Sequence, residues 1–302
     1  MSLLPIAKTL AGTSNGVAWR PQGDLIAVAH SGSPFLTVVR TSDGEVDPGW
    51  PTLVNTGLSC AWYPDGSRLV VGLNGAPWYQ VIDVASKTVE TGWAVISGLG
   101  ALSCRGVAWS PDGSLLALGH TGQLGAPTPT IVNATSKTEV SGFQRVTSGD
   151  GRSVLSCAFS PDGTKFAAVG LREAVTPGFL RVWDVSTGLV DLSWPDPASN
   201  AQGVGWSPNG QKLAVGHRNT PFLTVYDTST KLVESGWPTL PSHGHRVAWS
   251  PDGSRLAVGH EGGSGLTVID TEGKTPETGW SAAGGTNRGV AWAWDPGNSL
   301  SG

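Results

Sequence analysis

Six histidines and three cysteines are the residues of this 302-residue chain best suited to metal binding, general-base or nucleophilic chemistry. His30, His120, His217 and His260 each close an apolar run of the type Leu-Ala-Val-Gly-His, and Leu73 and Leu171 stand at the same place in two further runs. Residues placed by a recurring pattern have a recurring structural duty, and four of them spread around a molecule do not converge on one ion. His243 and His245 share one short loop, but a metal site needs a third ligand and none lies near in sequence. Cys60 and Cys157 take a position held elsewhere by Val17, Val107, Val204, Val247 and Val290, which reads as apolar packing. Cys104 falls in a longer loop and is the one thiol whose position suits reactivity. Among the acids, Asp65, Asp112, Asp162 and Asp252 occupy Pro-Asp-Gly turns. Asp47, Glu90, Asp191, Glu234 and Glu277 each precede a tryptophan by three residues, facing solvent or a neighbouring unit. Neither set forms a catalytic pair, and no Gly-x-Ser-x-Gly elbow, phosphate-cradling loop or zinc spacing is present. The chain reads as a non-enzyme without metal or cofactor.

Those regularities come from a repeat. Trp19, Trp62, Trp109, Phe159, Trp206, Trp249 and Trp292 follow one another at 43, 47, 50, 47, 43 and 43 residues; Val-Ala-Trp ends at Trp19, Trp109, Trp249 and Trp292, and Ser-Pro-Asp-Gly follows Trp109, Phe159 and Trp249. A second aromatic series, Trp50, Trp93, Phe143, Trp194, Trp237 and Trp280, ends the units. Aromatics scheduled in this way are packing residues before they are a sugar-stacking surface. One unit shows the elements: strand a at 246–249, strand b at 255–259, strand c at 266–270 and strand d running up to Gly279-Trp280. Val247 and Trp249 alternate with Ala248, as a strand requires, and Pro251-Asp252-Gly253 makes the a-to-b hairpin. With 43 Gly and 21 Pro the chain has too many helix breakers for a helical bundle. Four-stranded units of this length are blades, so the fold is expected to be all-β, a single β-propeller over residues 1–287. Six blades are favoured, with the segment 5–10 closing the sixth and 288–302 as a C-terminal extension carrying an extra inner-strand motif. The alternative is seven blades with an incomplete last one.

The segments Val107-Ala108-Trp109-Ser110-Pro111-Asp112-Gly113, Cys157-Ala158-Phe159-Ser160-Pro161-Asp162-Gly163 and Val182-Trp183-Asp184-Val185 resemble the WD40 and TolB-like repeat superfamily. A Trp-Asp pair ends strand c only at Trp183-Asp184, and a Gly-His pair precedes strand a only at Gly244-His245, so the repeats are divergent. The recurrent Gly-Trp and Gly-His pairs are similar to WD40-like repeats of tailed-phage virion and bacterial proteins. The resemblance implies a structural or protein-interaction role, as a virion or tail component or another assembly subunit.

Departures from the repeat mark the expected binding surface. The strand-b to strand-c interval is ten residues in most units but thirteen from His120 to Asn133 and from Leu171 to Asp184. The interval between the two aromatic series lengthens from twelve to sixteen at Trp93–Trp109 and Phe143–Phe159. Both kinds of loop leave the disc on one side, so the insertions extend one sector over blades three and four, bringing Arg145, Asp150, Arg152, Arg172 and Glu173. Trp294, outside the repeat schedule, is the expected anchor of the C-terminal segment. The net charge of −4 with 14% charged residues offers no stripe for nucleic acid. An odd cysteine count and an N-terminus without a long apolar run point to synthesis in a cytoplasm and no membrane insertion. A protein partner is the first expectation, a glycan held by a lectin-like module the second, and an enzyme in the propeller channel the third.

Overall fold

The computed structural model describes residues 12–94, 103–121, 129–144, 153–172, 178–260, 265–280 and 288–292. The repeat's alternation and turns produce antiparallel strands throughout, with no helix among the described residues. Blade one holds β1 (Ser14–Trp19), β2 (Leu25–His30) and β3 (Leu36–Arg40). Blade two holds β4 (Gly57–Trp62), β5 (Arg68–Leu73), β6 (Tyr79–Asp83) and β7 (Thr88–Val89). Blade three holds β8 (Ser103–Trp109), β9 (Leu115–Thr121) and β10 (Thr130–Asn133), and blade four β11 (Ser153–Phe159), β12 (Lys165–Leu171), β13 (Phe179–Asp184) and β14 (Val190–Asp191). Blade five holds β15 (Ala201–Trp206), β16 (Lys212–His217) and β17 (Leu223–Asp227); blade six holds β18 (Gly244–Trp249), β19 (Arg255–His260), β20 (Leu266–Asp270) and β21 (Thr275–Pro276). Each blade is a meander in which neighbours in sequence are neighbours in space.

The turns behave as their residues require. In the hairpin after β18, Asp252 Oδ1 accepts the Ser254 backbone N–H at 3.0 Å, and Gly253 takes a φ of 73°. Strand d is shorter than the sequence suggests: it pairs over only two residues in β7, β14 and β21. The Gly-Trp pair lies beyond the pairing, because Gly49, Gly92, Gly236 and Gly279 turn the chain at φ of 82–89° and send each indole back to the acid three residues earlier.

The core sits between blades rather than inside one. Leu25, Ala27 and Leu36 of blade one pack on Trp62, Leu69 and Ile82 of blade two, and equivalent clusters join each later pair up to blades five and six. The strand-a indoles of blades two, three, five and six also reach back one blade. Trp62, Trp109, Trp206 and Trp249 donate Nε1–H to the carbonyls of Ala18, Ala61, Ala158 and Gly205. The indole of the preceding unit's second series then stands edge-on to it, as Trp50 does to Trp62 and Trp237 to Trp249. The packing role read for the tryptophans is what these contacts perform.

Residues 288–292 are not peripheral. Trp292 donates to the Ala248 carbonyl at 2.8 Å and meets Trp280 edge-on at 5.8 Å, the two contacts that define a strand-a position. Gly289 lies against Val17 and Gly16, so closely that a Cβ there would stand 3.1 Å from the Val17 side chain. The segment therefore stands between β18 and β1, in a seventh inner position, rather than trailing away as an extension. The segment 5–10 lies outside the described residues.

Candidate functional site: the mouth of the central channel

The inner strands line a narrow channel of about 130 Å³ whose wall includes Gly16, Ser59, Gly106, Ser156 and Gly289. Small residues are needed there because adjacent inner strands nearly touch: a Cβ on Gly16 would come within 2.9 Å of the Ser59 Cα. Above this level every inner strand carries a bulge at one and the same place. The pairing register skips Asn15, Leu58, Arg105, Leu155, Gln202 and His245. A bulge breaks the alternation and re-aims its extra residue. All six line a cavity of about 350 Å³ at the channel mouth, and Arg288, at the equivalent place in the seventh segment, lines it too.

The mouth is basic. Arg105, Arg218, Arg246, Arg288 and His245 contribute to its wall, and no Asp or Glu does among the described residues. Arg246 occupies the position that is Gly or Ser in the other inner strands and reaches across the channel. Its two terminal nitrogens donate to the carbonyls of Leu155 at 3.1 Å and Arg105 at 2.8 Å, two bulged residues whose backbone has left the ladder. Burial, with Arg105 nearby, pushes the Arg246 guanidinium below the usual arginine range, and burial beside Arg288 does the same to Arg105. Both remain charged at neutral pH.

The mouth opens on the face where the lengthened loops begin and end. Thr121, Ser153 and Leu171, the last or first strand residues flanking three of those loops, are part of its wall. Blades three and four are also joined there, by a single pairing of Ser153 with Thr121. Of the residues expected to bind a partner, Arg172 is described. It is half-buried and pairs with Asp196, which also accepts from Arg181 at 2.8 Å. Arg145, Asp150, Arg152, Glu173 and Trp294 lie outside the described residues.

The other chemistry-bearing residues resolve individually. His30, His120, His217 and His260 are buried, each with Nε2 bonded to a strand-c threonine hydroxyl: Thr37, Thr130, Thr224 and Thr267 at 2.9–3.0 Å. His243 leans on the Phe222 ring. No group of three or more potential metal ligands occurs among the described residues. Cys104 corrects an expectation: it lies in β8, fully buried, not in an open loop, and burial raises its thiol pKa well above the usual value. Cys60 and Cys157 pack as expected, each pushed up to about 12 by burial. The acid before the strand-d tryptophan faces the neighbouring blade, where Lys87, Lys137, Lys231 and Lys274 reach Asp47, Glu90, Asp191 and Glu234.

The sequence does not announce the basic mouth, because the last four residues of strand a alternate regularly and give no sign of the bulge before them. The signal was present as Arg105, His245 and Arg288, each four residues before the tryptophan, and as Arg246 where other units carry Gly or Ser.

Comparison with known proteins agrees with this architecture. Residues 142–184 match the WD40 family model, "WD domain, G-beta repeat", in the one unit that ends strand c with Trp-Asp. Repeats of this family generally mediate protein–protein interactions and are generally non-catalytic. No curated protein matches the chain in sequence. A solved structure titled Kuenenia stuttgartiensis Hydrazine Synthase superposes with a TM-score of 0.72 at 19% identity, over 88% of this chain and 79% of that one. Such a likeness carries the fold alone. No helix among the described residues is long and apolar enough to cross a membrane. Inter-blade packing, meander topology and the repeat match lead to one conclusion: the chain is a β-propeller whose repeats are similar to those of the WD40 family.

Proposed function

We propose that this propeller is a non-catalytic interaction subunit that binds a protein partner on the face carrying the channel mouth and the lengthened loops of blades three and four. The observation supporting this reading is the meeting of two features on one face. The loops that break the repeat's length spring from Thr121, Ser153 and Leu171, and the same three residues border the mouth. Loops on a rigid scaffold are the usual carriers of recognition. Arg145, Asp150, Arg152, Arg172 and Glu173 belong to this contact, with Trp294 as an apolar anchor. A subunit of a larger assembly, such as a virion tail, made in the cytoplasm, suits the role. A glycan module is less favoured, because the repeat-encoded tryptophans are engaged between blades.

Shortening the 144–153 loop by four residues to the length of its siblings tests the reading. Partner captured by the wild-type protein, purified and titrated calorimetrically, should lose at least tenfold in affinity for the variant while the melting midpoint stays within a few degrees. Unchanged affinity would reject the loop as the contact.

A further inference from the structure

We infer that the channel mouth is an anion site, built for a ligand presenting two or three clustered carboxylate or phosphate oxygens. Charge pairing elsewhere in the molecule isolates the site. Every described lysine forms an ion pair, and so do Arg20, Arg40, Arg68, Arg172, Arg181 and Arg255. The four remaining described arginines, Arg105, Arg218, Arg246 and Arg288, form no ion pair with a described residue, and all four line this one cavity.

Gathering like charges in a partly enclosed wall costs free energy, and an anion seated among them reverses the sign of that interaction. The guanidinium fork matches carboxylate and phosphate geometry with two parallel hydrogen bonds. Arg246 has its terminal nitrogens fixed by two backbone carbonyls, so its orientation is set before a ligand arrives. Asn15, Gln202, Ser153 and Thr121 add neutral polar groups around the same rim. A volume of about 350 Å³ falls at the small end of ligand pockets, enough for a tricarboxylate or for the acidic tip of a peptide. The two sources share one chemistry. The peptide source rests on the partner reading above, whereas a free anion does not.

Calorimetric titration of the full chain at low ionic strength with citrate, with inorganic phosphate and with a hexa-aspartate peptide tests the site. Binding of at least one probe, weakening as salt is added, is expected. Arg105→Gln/Arg288→Gln should weaken it at least tenfold, with Arg218→Gln, at the exposed edge, as a second variant giving a smaller loss should the first fail to fold. Arg40→Gln, paired on the outer rim, should bind as wild type does. Citrate or phosphate binding identifies a free anion, and binding of the peptide alone identifies an acidic segment of a partner. The protein with the shortened 144–153 loop should keep citrate or phosphate binding, which separates failure of the partner reading from failure of the site. No binding of any probe, or binding that both arginine variants retain, overturns the inference.

Discussion

Each buried histidine at the end of strand b exchanges a hydrogen bond with a threonine on strand c, and that pairing has a price in acid. For His30 and His217, burial lowers the pKa below the usual 6.5 because the protonated ring would lose its hydration. The unfolded chain therefore takes up protons more readily than the folded one, and stability falls as the pH drops below about 6.5. Urea midpoints measured from pH 7.5 to 5 should decline, and in His30→Leu/His217→Leu the decline should be shallower. Leucine is the residue blades two and four already carry at this position, at Leu73 and Leu171. Equal slopes for the two proteins would show that other groups govern the acid limb.

Between elements, two kinds of link hold successive blades, and their magnitudes differ. Lys87 reaches back to Asp47 at 2.7 Å, and its side chain is 29% exposed, so solvent screens the pair and Lys87→Met should cost below about 1 kcal/mol. Trp62 is 7% exposed, bonds the Ala18 carbonyl and meets Trp50, so Trp62→Ala should cost about 3–5 kcal/mol, the range for a large buried aromatic. Chemical denaturation of both variants gives the ranking. A larger loss for Lys87→Met would mean that electrostatics, rather than aromatic packing, joins the sheets. The junction of blades three and four has neither lysine nor acid at these places. There Gly188 packs on Gly142, and the Gln144 N–H donates to the Gly188 carbonyl at 2.8 Å.

At the scale of the whole molecule, closure is the question. Sequence counting favoured six blades because only six complete a-b-c sets exist, which left 288–302 surplus. The contacts of Gly289 and Trp292 with β1 and β18 instead place residues 288–292 in the ring, and Gly289 and Val290 line the channel with the other inner strands. Deleting 288–302 should therefore expose the edges of β1 and β18 and remove a tryptophan of the kind worth about 3–5 kcal/mol, a large part of a usual 5–15 kcal/mol stability. Thermal unfolding followed by circular dichroism should show a midpoint lowered by many degrees or no cooperative transition. A truncated protein with an unchanged midpoint would return the segment to the role of an appendage.

The repeat in the amino-acid order was enough to establish the blades, their hairpins and the packing duty of the tryptophans, because period-two alternation and Pro-Asp-Gly turns are local signals that each unit states again. It also placed the histidines in a structural role, since a residue that recurs at one position of the unit, in four of six, meets the same neighbours each time. The basic mouth was not legible in that way. Arg105, Arg246 and Arg288 are far apart in the chain, and what unites them is the curvature of the ring, which brings inner-strand residues to a common axis, together with the bulge that re-aims Arg105. Burial of Cys104 and the seat of Trp292 likewise depend on which strands become neighbours after closure. Local order specifies the sheets; long-range packing decides what those sheets surround.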